Sequence, residues 1–238
     1  MKKQIHITKE AVQTYQEFKH REENSPDFDG KEIMIGKPTT IQKIINICQE
    51  INPKRVLEMG AGTGTISYTV LKYSNAHLDT YEHYDFCQKH LINNLKEFED
   101  RYTLIKDYRL LPPHTDYDLV IIDGGSGKPW DGGFSKAVWI YLSCINNVKY
   151  VHVEGYRHYQ RYLARKALSQ RQIYKLIDYS EYQLDEQKLS GGLTIKCKPC
   201  KFRILRFFNW LFWELKTGKI IEMKINYLLK KLKNRHVK

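Results

Sequence analysis

The sequence predicts an α/β protein built on a doubly wound, mostly parallel sheet of seven strands, with N-terminal helices and a C-terminal helical extension. Three observations support this prediction. Short apolar runs rich in β-branched residues alternate with segments of helical periodicity. A glycine-rich stretch, VLEMGAGTGT at 56–65, joins one such run to a helical pattern. The last two apolar runs follow each other without a full helix between them, which predicts a closing antiparallel pair.

Seven segments are predicted to form strands because they are short, apolar and bounded by turn residues. They are RVLEMG (55–60), LDTYE (78–82), YTLIK (102–106), YDLVIID (117–123), YVHVEG (150–155), QIYKLIDYS (172–180) and LTIKC (193–197). Helices are expected between most of these strands, over 64–74, 85–98, 134–147 and 156–170. Right-handed connections then place helices on both faces of the sheet.

The best marked helix precedes the first strand. It begins at Pro38 and Thr39 and ends before Asn52 and Pro53, since proline suits the first turn of a helix and stops a helix that reaches it. Apolar side chains at helical spacing form one face of it, namely Ile41, Ile44, Ile45, Cys48 and Ile51. This face is expected to pack on the sheet.

The chain of 238 residues has room for one sizeable domain and an appendage. We divide it into an N-terminal helical or lid segment (1–38), a main domain (39–200) and a basic amphipathic extension (201–238). The start, MKKQIHITKE, lacks the apolar core of a secretory signal, and the longest apolar run is far shorter than the roughly 20 residues of a membrane span. Five scattered cysteines indicate reduced thiols. We therefore expect a cytoplasmic protein.

The glycine-rich stretch places Gly60, Gly62 and Gly64 between a strand and a helix. Glycine lets ligand atoms approach the main chain, and open α/β sheets bind ligands at the carboxyl edge of their strands. The spacing differs from G-x-G-x-x-G, and the Lys-Ser/Thr of a P-loop is missing. Glu58 would repel a pyrophosphate but can hold an ammonium group, directly or through water. Glu82, 18 residues after Gly64, can accept both hydroxyls of a ribose.

A ligand that joins an adenosine ribose to a cationic amino acid is S-adenosylmethionine (SAM). On the motifs LEMGAGTG and DLVIIDGG, with Glu82 and Asp107, residues 33–197 resemble the class I SAM-dependent methyltransferases. The resemblance implies a Rossmann-like fold with the methionine portion at the glycine loop, the ribose on Glu82 and the adenine near Asp107 and Tyr108. The cofactor-binding residues so expected are Glu58, Gly60, Ala61, Gly62, Gly64, Glu82, His83, Asp107, Tyr108 and Asp123. A loop that only turns a strand into a helix is the alternative.

Candidate catalytic residues follow the fourth and fifth strands. Methyl transfer is a displacement at a sulfonium methyl, so the protein aligns the acceptor and removes its proton where necessary. We select Asp123, Lys128 and Glu154 for these roles. The same segments also contain Trp130, Asp131, Tyr156, Arg157 and His158. The alternatives are structural: a loop cap or cofactor contact for Asp123, solvated loop charges, and an exposed helix face for Arg157 and His158.

The segments EIMIGKPTT and VIIDGG resemble small-molecule O-methyltransferases related to the catechol type. In the metal-dependent members, acids after the fourth and fifth strands hold a divalent cation. Asp123 and Glu154 match these acids loosely, but Gly155 takes the place of the third ligand, so we assign no metal ligand and keep a divalent metal as the weaker alternative. The Asn/Asp-Pro-Pro-Tyr/Phe motif of base-amino methyltransferases is missing, and no cysteine nucleophile is expected at this edge. An oxygen acceptor remains by elimination.

The tail differs from the rest of the chain in charge and pattern. The net charge is +12, and most of the excess lies towards the C-terminus. Apolar residues predict two amphipathic helices that meet at Thr217-Gly218. They are Phe202, Leu205, Phe208, Trp210, Phe212 and Trp213, then Ile221, Ile225, Leu228, Leu229 and Leu232. The helices could lie on an anionic inner membrane surface, but we favour packing on the sheet or in a homodimer. Nucleic acid is the less favoured partner, since no RNA module is recognisable.

The sequence therefore predicts a cytoplasmic enzyme that transfers a methyl group from SAM to an oxygen of a small metabolite or glycan precursor, leaving S-adenosylhomocysteine (SAH). Two alternatives stay open. One is an RNA methyltransferase, favoured by the charge. The other is a non-catalytic SAM-binding protein located peripherally on the inner membrane.

Overall fold

A seven-stranded sheet forms the centre of the computed structural model, which describes residues 5–28, 34–126, 128, 131–155, 157–178 and 192–217. The strands are β1 (Arg55–Met59), β2 (His77–Tyr81), β3 (Tyr102–Ile105), β4 (Leu119–Ile122), β5 (Tyr150–Val153), β6 (Gln172–Asp178) and β7 (Leu193–Pro199). Their order is β3-β2-β1-β4-β5-β7-β6. Strands β1 to β5 are parallel, and β7 runs antiparallel to both β5 and β6. The seven predicted strands and the closing antiparallel pair are confirmed.

Helices cover both faces of this sheet. They are α1 (Lys9–Glu23), α2 (Pro38–Ile51), α3 (Thr65–Tyr73), α4 (Asp85–Asn94), α5 (Phe134–Cys144), α6 (His158–Leu168) and α7 (Arg203–Thr217), with a 3₁₀ helix at Lys96–Arg101. Successive residues of a strand point to opposite faces, so the parallel strands β1 to β5 contribute to two apolar cores. Leu57 and Met59 of β1 pack with α5 and α6, whereas Val56 packs with α2 and α3.

The helix boundaries follow from local chemistry. Helix α2 ends at Ile51, and Asn52 caps it with a φ of 38° while its amide donates to the carbonyl of Cys48. Helix α5 ends three residues earlier than expected, because Ile145 is extended and the amide of Asn146 donates to the carbonyl of Thr115 at 2.8 Å. The predicted helix over 85–98 ends at Asn94 and continues as a 3₁₀ turn. The second predicted tail helix lies outside the described residues.

The acidic residues selected from the sequence lie at the carboxyl edge of the parallel strands. Glu58 lies within β1, and four other acids follow β2, β3, β4 and β5 respectively, namely Glu82, Asp107, Asp123 and Glu154. Strands β2 and β3 extend the sheet to one side of β1, whereas β4 and β5 extend it to the other side. The crevice between β1 and β4, where the order of strands reverses, is the place where open α/β sheets bind ligands. Among the described residues, no helix is both long and apolar enough to cross a membrane.

Candidate functional site

The glycine loop joins β1 to α3 and brings the ends of two neighbouring strands together. Gly60 has a φ of 90°, and a Cβ on it would lie 2.2 Å from the carbonyl oxygen of Asp123 at the end of β4. A Cβ on Gly62 would lie 2.3 Å from the carbonyl oxygen of Met34. Gly60 and Ala61 both donate their amides to the carbonyl of Tyr81, at 3.0 and 3.2 Å. The glycines are therefore needed for close backbone packing at this edge.

Glu58 lies beneath the loop with its side chain completely buried. Its Oε2 accepts hydrogen bonds from the hydroxyls of Ser67 and Thr80, the latter at 2.7 Å. Its Oε1 is buried and accepts no hydrogen bond from any described residue. Burial raises the pKa of Glu58 to about 7, against these hydrogen bonds and with the help of the nearby charges of Asp123 and Glu82. A buried acceptor without a partner suits a cationic or donor ligand.

Glu82, at the end of β2, forms a hydrogen bond with the glycine loop. Its Oε2 accepts from the amide of Gly62 at 2.8 Å, and its Oε1 accepts from the amides of His83 and Tyr84 at 2.8 and 2.9 Å. The imidazole of His83 is exposed, with Nδ1 3.7 Å from Oε1 of Glu82. The carboxylate is thus held in place by main-chain donors at the position where the sequence expects a ribose.

Asp107 and Tyr108, expected near an adenine, face different surroundings. Asp107 forms a two-point ion pair with Arg109 at 2.8 to 3.0 Å, and these hydrogen bonds lower its pKa. Tyr108 stacks on Tyr81 with ring centroids 5.4 Å apart and donates its hydroxyl to the carbonyl of Tyr81 at 3.1 Å. Its ring also contacts Phe134, at 5.3 Å. An aromatic surface therefore lies beside Glu82 at the carboxyl edge.

On the other side of β1, one arginine joins the two acids expected to be catalytic. Nη1 of Arg157 lies 3.0 Å from Oδ1 of Asp123 and 3.1 Å from Oε2 of Glu154. Arg157 also donates to the carbonyls of Gly125 and Glu154, at 3.2 and 2.9 Å. Burial acts to lower the pKa of Arg157, but the two carboxylates raise it overall. The side chain is only 23% exposed, so the expectation of an exposed helix face is wrong for Arg157.

This arrangement does not fit a divalent cation. The guanidinium already contacts one oxygen of each acid, and Oε1 of Glu154 accepts a long hydrogen bond, 3.4 Å, from Thr40. Nowhere in the described ranges do three His, Cys, Asp or Glu side chains cluster in a way that could hold a metal ion. We therefore derive no step through a metal.

The remaining candidates occupy the loop between β4 and α5. Lys128 is exposed, and its amide donates to the hydroxyl of Ser126 at 3.4 Å. Asp131 precedes α5 and contacts its first turn, since both of its carboxylate oxygens accept from the amide of Ser135. His158 begins α6. Trp130 and Tyr156 lie outside the described residues.

Two residues that position the loops, Glu22 and Gln160, were missed by sequence reasoning. The buried Glu22 at the end of α1 accepts from the amide of Met34 at 2.7 Å and from the hydroxyl of Thr63 at 3.1 Å. Gln160 donates to the carbonyl of Gly124 at 2.8 Å. In the sequence Glu22 looks like an ordinary charge on a helix surface, and only its proximity to the glycine loop in the folded structure reveals its role. Glu154 and Arg157 are only three residues apart, and this closeness in sequence is a signal that could have found their ion pair.

Comparison of the sequence with protein-family models and with curated proteins gave no match. Several solved structures are similar to this chain in fold. An O-methyltransferase from Bacillus cereus, in complex with SAH, has a TM-score of 0.57 at 11% identity, covering 82% of this chain and 93% of that chain. An O-methyltransferase from Streptomyces achromogenes involved in tomaymycin synthesis, in complex with SAM, has a TM-score of 0.55 at 14% identity, with coverages of 80% and 90%. A proposed RNA methyltransferase from Pyrococcus horikoshii has a TM-score of 0.53 at 15% identity, with coverages of 82% and 98%. The chain therefore has the Rossmann-like fold of the class I SAM-dependent methyltransferases.

Proposed function

We propose that the protein is a SAM-dependent methyltransferase that acts on an oxygen of a small metabolite or glycan precursor. The observation that carries this proposal is the placement of Glu82 against the glycine loop, at the carboxyl edge of this fold. The solved structures bound to SAM or SAH support the same cofactor. The oxygen acceptor is supported by the O-methyltransferases among the similar structures and by the sequence motifs.

The chain supplies binding residues for each part of the cofactor. Glu82 would accept the ribose hydroxyls, and the aromatic surface of Tyr108 would lie beside the adenine. The glycine loop would receive the amino-acid portion, with the unpartnered Oε1 of Glu58 beneath it. When bound, SAM supplies a methyl group on a positively charged sulfur.

The acceptor would lie over Asp123. Arg157 holds this carboxylate through Oδ1, so Oδ2 takes no part in the ion pair and can accept the proton of an acceptor hydroxyl. The guanidinium also fixes Glu154 and offsets one of the two negative charges without a metal ion. We therefore expect chelation by EDTA to leave methyl transfer unchanged, as measured with the purified enzyme once an acceptor is found.

The first test is calorimetric titration with SAM and SAH. We expect binding that Glu82→Ala weakens tenfold or more, a loss of about 1.4 kcal/mol or above, because the ribose loses its acceptor. Glu97→Ala is the matched control, since Glu97 is an exposed acid of the 3₁₀ helix. If neither ligand binds the unmodified protein, the glycine loop is only a turn and the proposal fails.

An RNA methyltransferase is the second candidate, favoured by the net charge of +12. The similarity in fold to the proposed RNA methyltransferase from Pyrococcus horikoshii is compatible with it. Incubation with radiolabelled SAM and either total RNA or a small-molecule extract separates the two, because the label enters only the accepting fraction. Cofactor binding with label in neither fraction would favour a non-catalytic SAM-binding protein.

A further inference from the structure

Helix α7 is fixed to the domain by one of its faces. The indole of Trp213 donates to the carbonyl of Tyr174 on β6 at 2.8 Å, and Asn209 exchanges two hydrogen bonds with the backbone of Tyr174 at 2.9 and 3.0 Å. Glu214 forms a buried ion pair with Arg165 of α6, with Nε and Oε1 2.7 Å apart. These contacts determine the rotation of the helix about its axis.

The opposite face of α7 is apolar and exposed. Six of its side chains are 54 to 70% exposed, and we call them the apolar arc: Ile204, Leu205, Phe207, Phe208, Phe212 and Leu215. At 100° per residue they span about 160° of the helix, and none of the charged residues of α7 falls within this span. With Phe202, which precedes the helix, they make up seven of the twelve exposed large hydrophobic residues in the described part of the chain. Their concentration on one helix marks an interaction surface.

Positive charge surrounds the apolar arc. Lys201, Arg203 and Lys216 are exposed at its borders. Residues 201–238 hold eleven Lys and Arg against two Glu, so this segment contributes +9 to the net charge of +12. A partner that accepts both aromatic side chains and a dense positive charge is apolar within and anionic at its surface.

We propose that α7 binds the surface of anionic phospholipid bilayers, with the apolar arc inserted at the boundary of headgroups and acyl chains. The 15 residues of α7 span about 22 Å, less than the roughly 30 Å of a hydrocarbon core, so the helix lies along the surface. The anchoring face keeps Trp213 and Glu214 on the domain while the apolar arc faces the lipid.

Two other partners of this surface, a second copy of the chain and nucleic acid, are less favourable. Pairing of two apolar arcs in a homodimer would bring together the exposed Lys201, Arg203 and Lys216 of both chains, which repel each other. Nucleic acid would satisfy the charge, but the apolar arc has no group that contacts phosphate. Anionic lipid alone among the three complements both the charge and the apolar side chains.

The experiment is sedimentation of the full-length protein with vesicles of phosphatidylcholine alone or with about one third phosphatidylglycerol. We expect binding to the anionic vesicles, at least tenfold weaker binding to the neutral ones, and release as salt rises, because salt screens the attraction. Phe208→Ser/Phe212→Ser should weaken binding tenfold or more. Ile92→Ser/Leu111→Ser, which removes two exposed apolar side chains elsewhere, should bind like the unmodified protein.

Three results would overturn the proposal. The first is the absence of binding to anionic vesicles by the unmodified protein. The second is equal binding by the Phe208→Ser/Phe212→Ser variant. The third is a dimeric mass by light scattering that the same variant converts to a monomer, which would make the apolar arc a subunit interface. Sedimentation uses no SAM, so its outcome is independent of the proposed enzymatic function.

Discussion

At the scale of single residues, the carboxyl edge depends on how buried charges are compensated. Glu58 is compensated incompletely, because two hydroxyls reach one oxygen and none of the described residues reaches the other. Asp123 and Glu154 are compensated by one shared guanidinium, that of Arg157. The first arrangement raises the pKa of Glu58 and so favours its protonated form, and the second places two acids beside one fixed positive charge.

The raised pKa of Glu58 predicts a pH dependence of stability. A folded-state pKa of about 7, above the ordinary 4.5, gives stability that is complete below pH 4.5 and is lost as the pH rises through 7. Between pH 4.5 and 8, we expect the free energy of unfolding to fall by about 3 kcal/mol more in the unmodified protein than in Glu58→Gln. Urea denaturation of both proteins measures this difference. His152, whose burial lowers its pKa to about 3, acts in the opposite direction but cancels in this difference. Parallel pH curves for the two proteins would contradict the prediction.

Removal of Arg157 should destabilise the protein because it leaves two carboxylates close together without their cation. We expect Arg157→Ala to lower the free energy of unfolding by about 2 kcal/mol or more in urea denaturation. Arg109→Ala, which removes an exposed ion pair with Asp107, is the control and should leave the urea midpoint unchanged. A similar midpoint for both variants would mean that the Arg157 contacts contribute nothing measurable.

At the scale of elements, the site depends on how closely the ends of β1 and β4 approach. Gly60 permits this approach, since its position leaves no room for a side chain against the carbonyl of Asp123. Side chains from distant elements then hold the adjoining loops. Glu22 of α1 holds the glycine loop through Thr63, and Gln160 of α6 holds Gly124.

Gly60→Ala should disrupt both stability and cofactor binding. The change combines an unfavourable φ of 90° with a Cβ 2.2 Å from a carbonyl oxygen, so the strand ends must separate. Gly132→Ala is a matched control, because its φ is 70° but no atom of a described residue lies within 4 Å of the added Cβ. We expect the control to cost about 1 kcal/mol of unfolding free energy and Gly60→Ala clearly more, as measured in urea. Equal losses would show that φ alone matters.

At the scale of the whole molecule, the cofactor edge and the apolar arc are built from different parts of the chain. The edge lies at the ends of β1 to β5, whereas α7 packs on β6 at the far side of the sheet. Acidic residues concentrate at the first surface and basic residues at the second. The two proposed ligands, cofactor and lipid, are therefore expected to bind independently.

This separation predicts the thermal response to cofactor. At a SAM concentration a hundredfold above Kd, binding to the folded state alone adds about 2.7 kcal/mol to the free energy of unfolding. For a chain of this length we expect Tm to rise by about 5 to 10 °C. Phe208→Ser/Phe212→Ser should show the same rise, and Glu82→Ala a much smaller one, in differential scanning fluorimetry. A loss of the rise in the Phe208→Ser/Phe212→Ser variant would show that the two surfaces are coupled.

The sequence by itself determined the fold class, because alternating apolar runs and helical patterns are local signals that burial on both sheet faces enforces. It also determined which acids reach the carboxyl edge, since each follows its strand directly. Tertiary structure alone decided how these acids are paired. Arg157 contacts Asp123 across 34 residues of chain, and Glu22 reaches Thr63 across 41. Tertiary packing also decided which face of α7 is buried, since both faces are rich in aromatic residues and only the contacts of Tyr174 and Arg165 distinguish them.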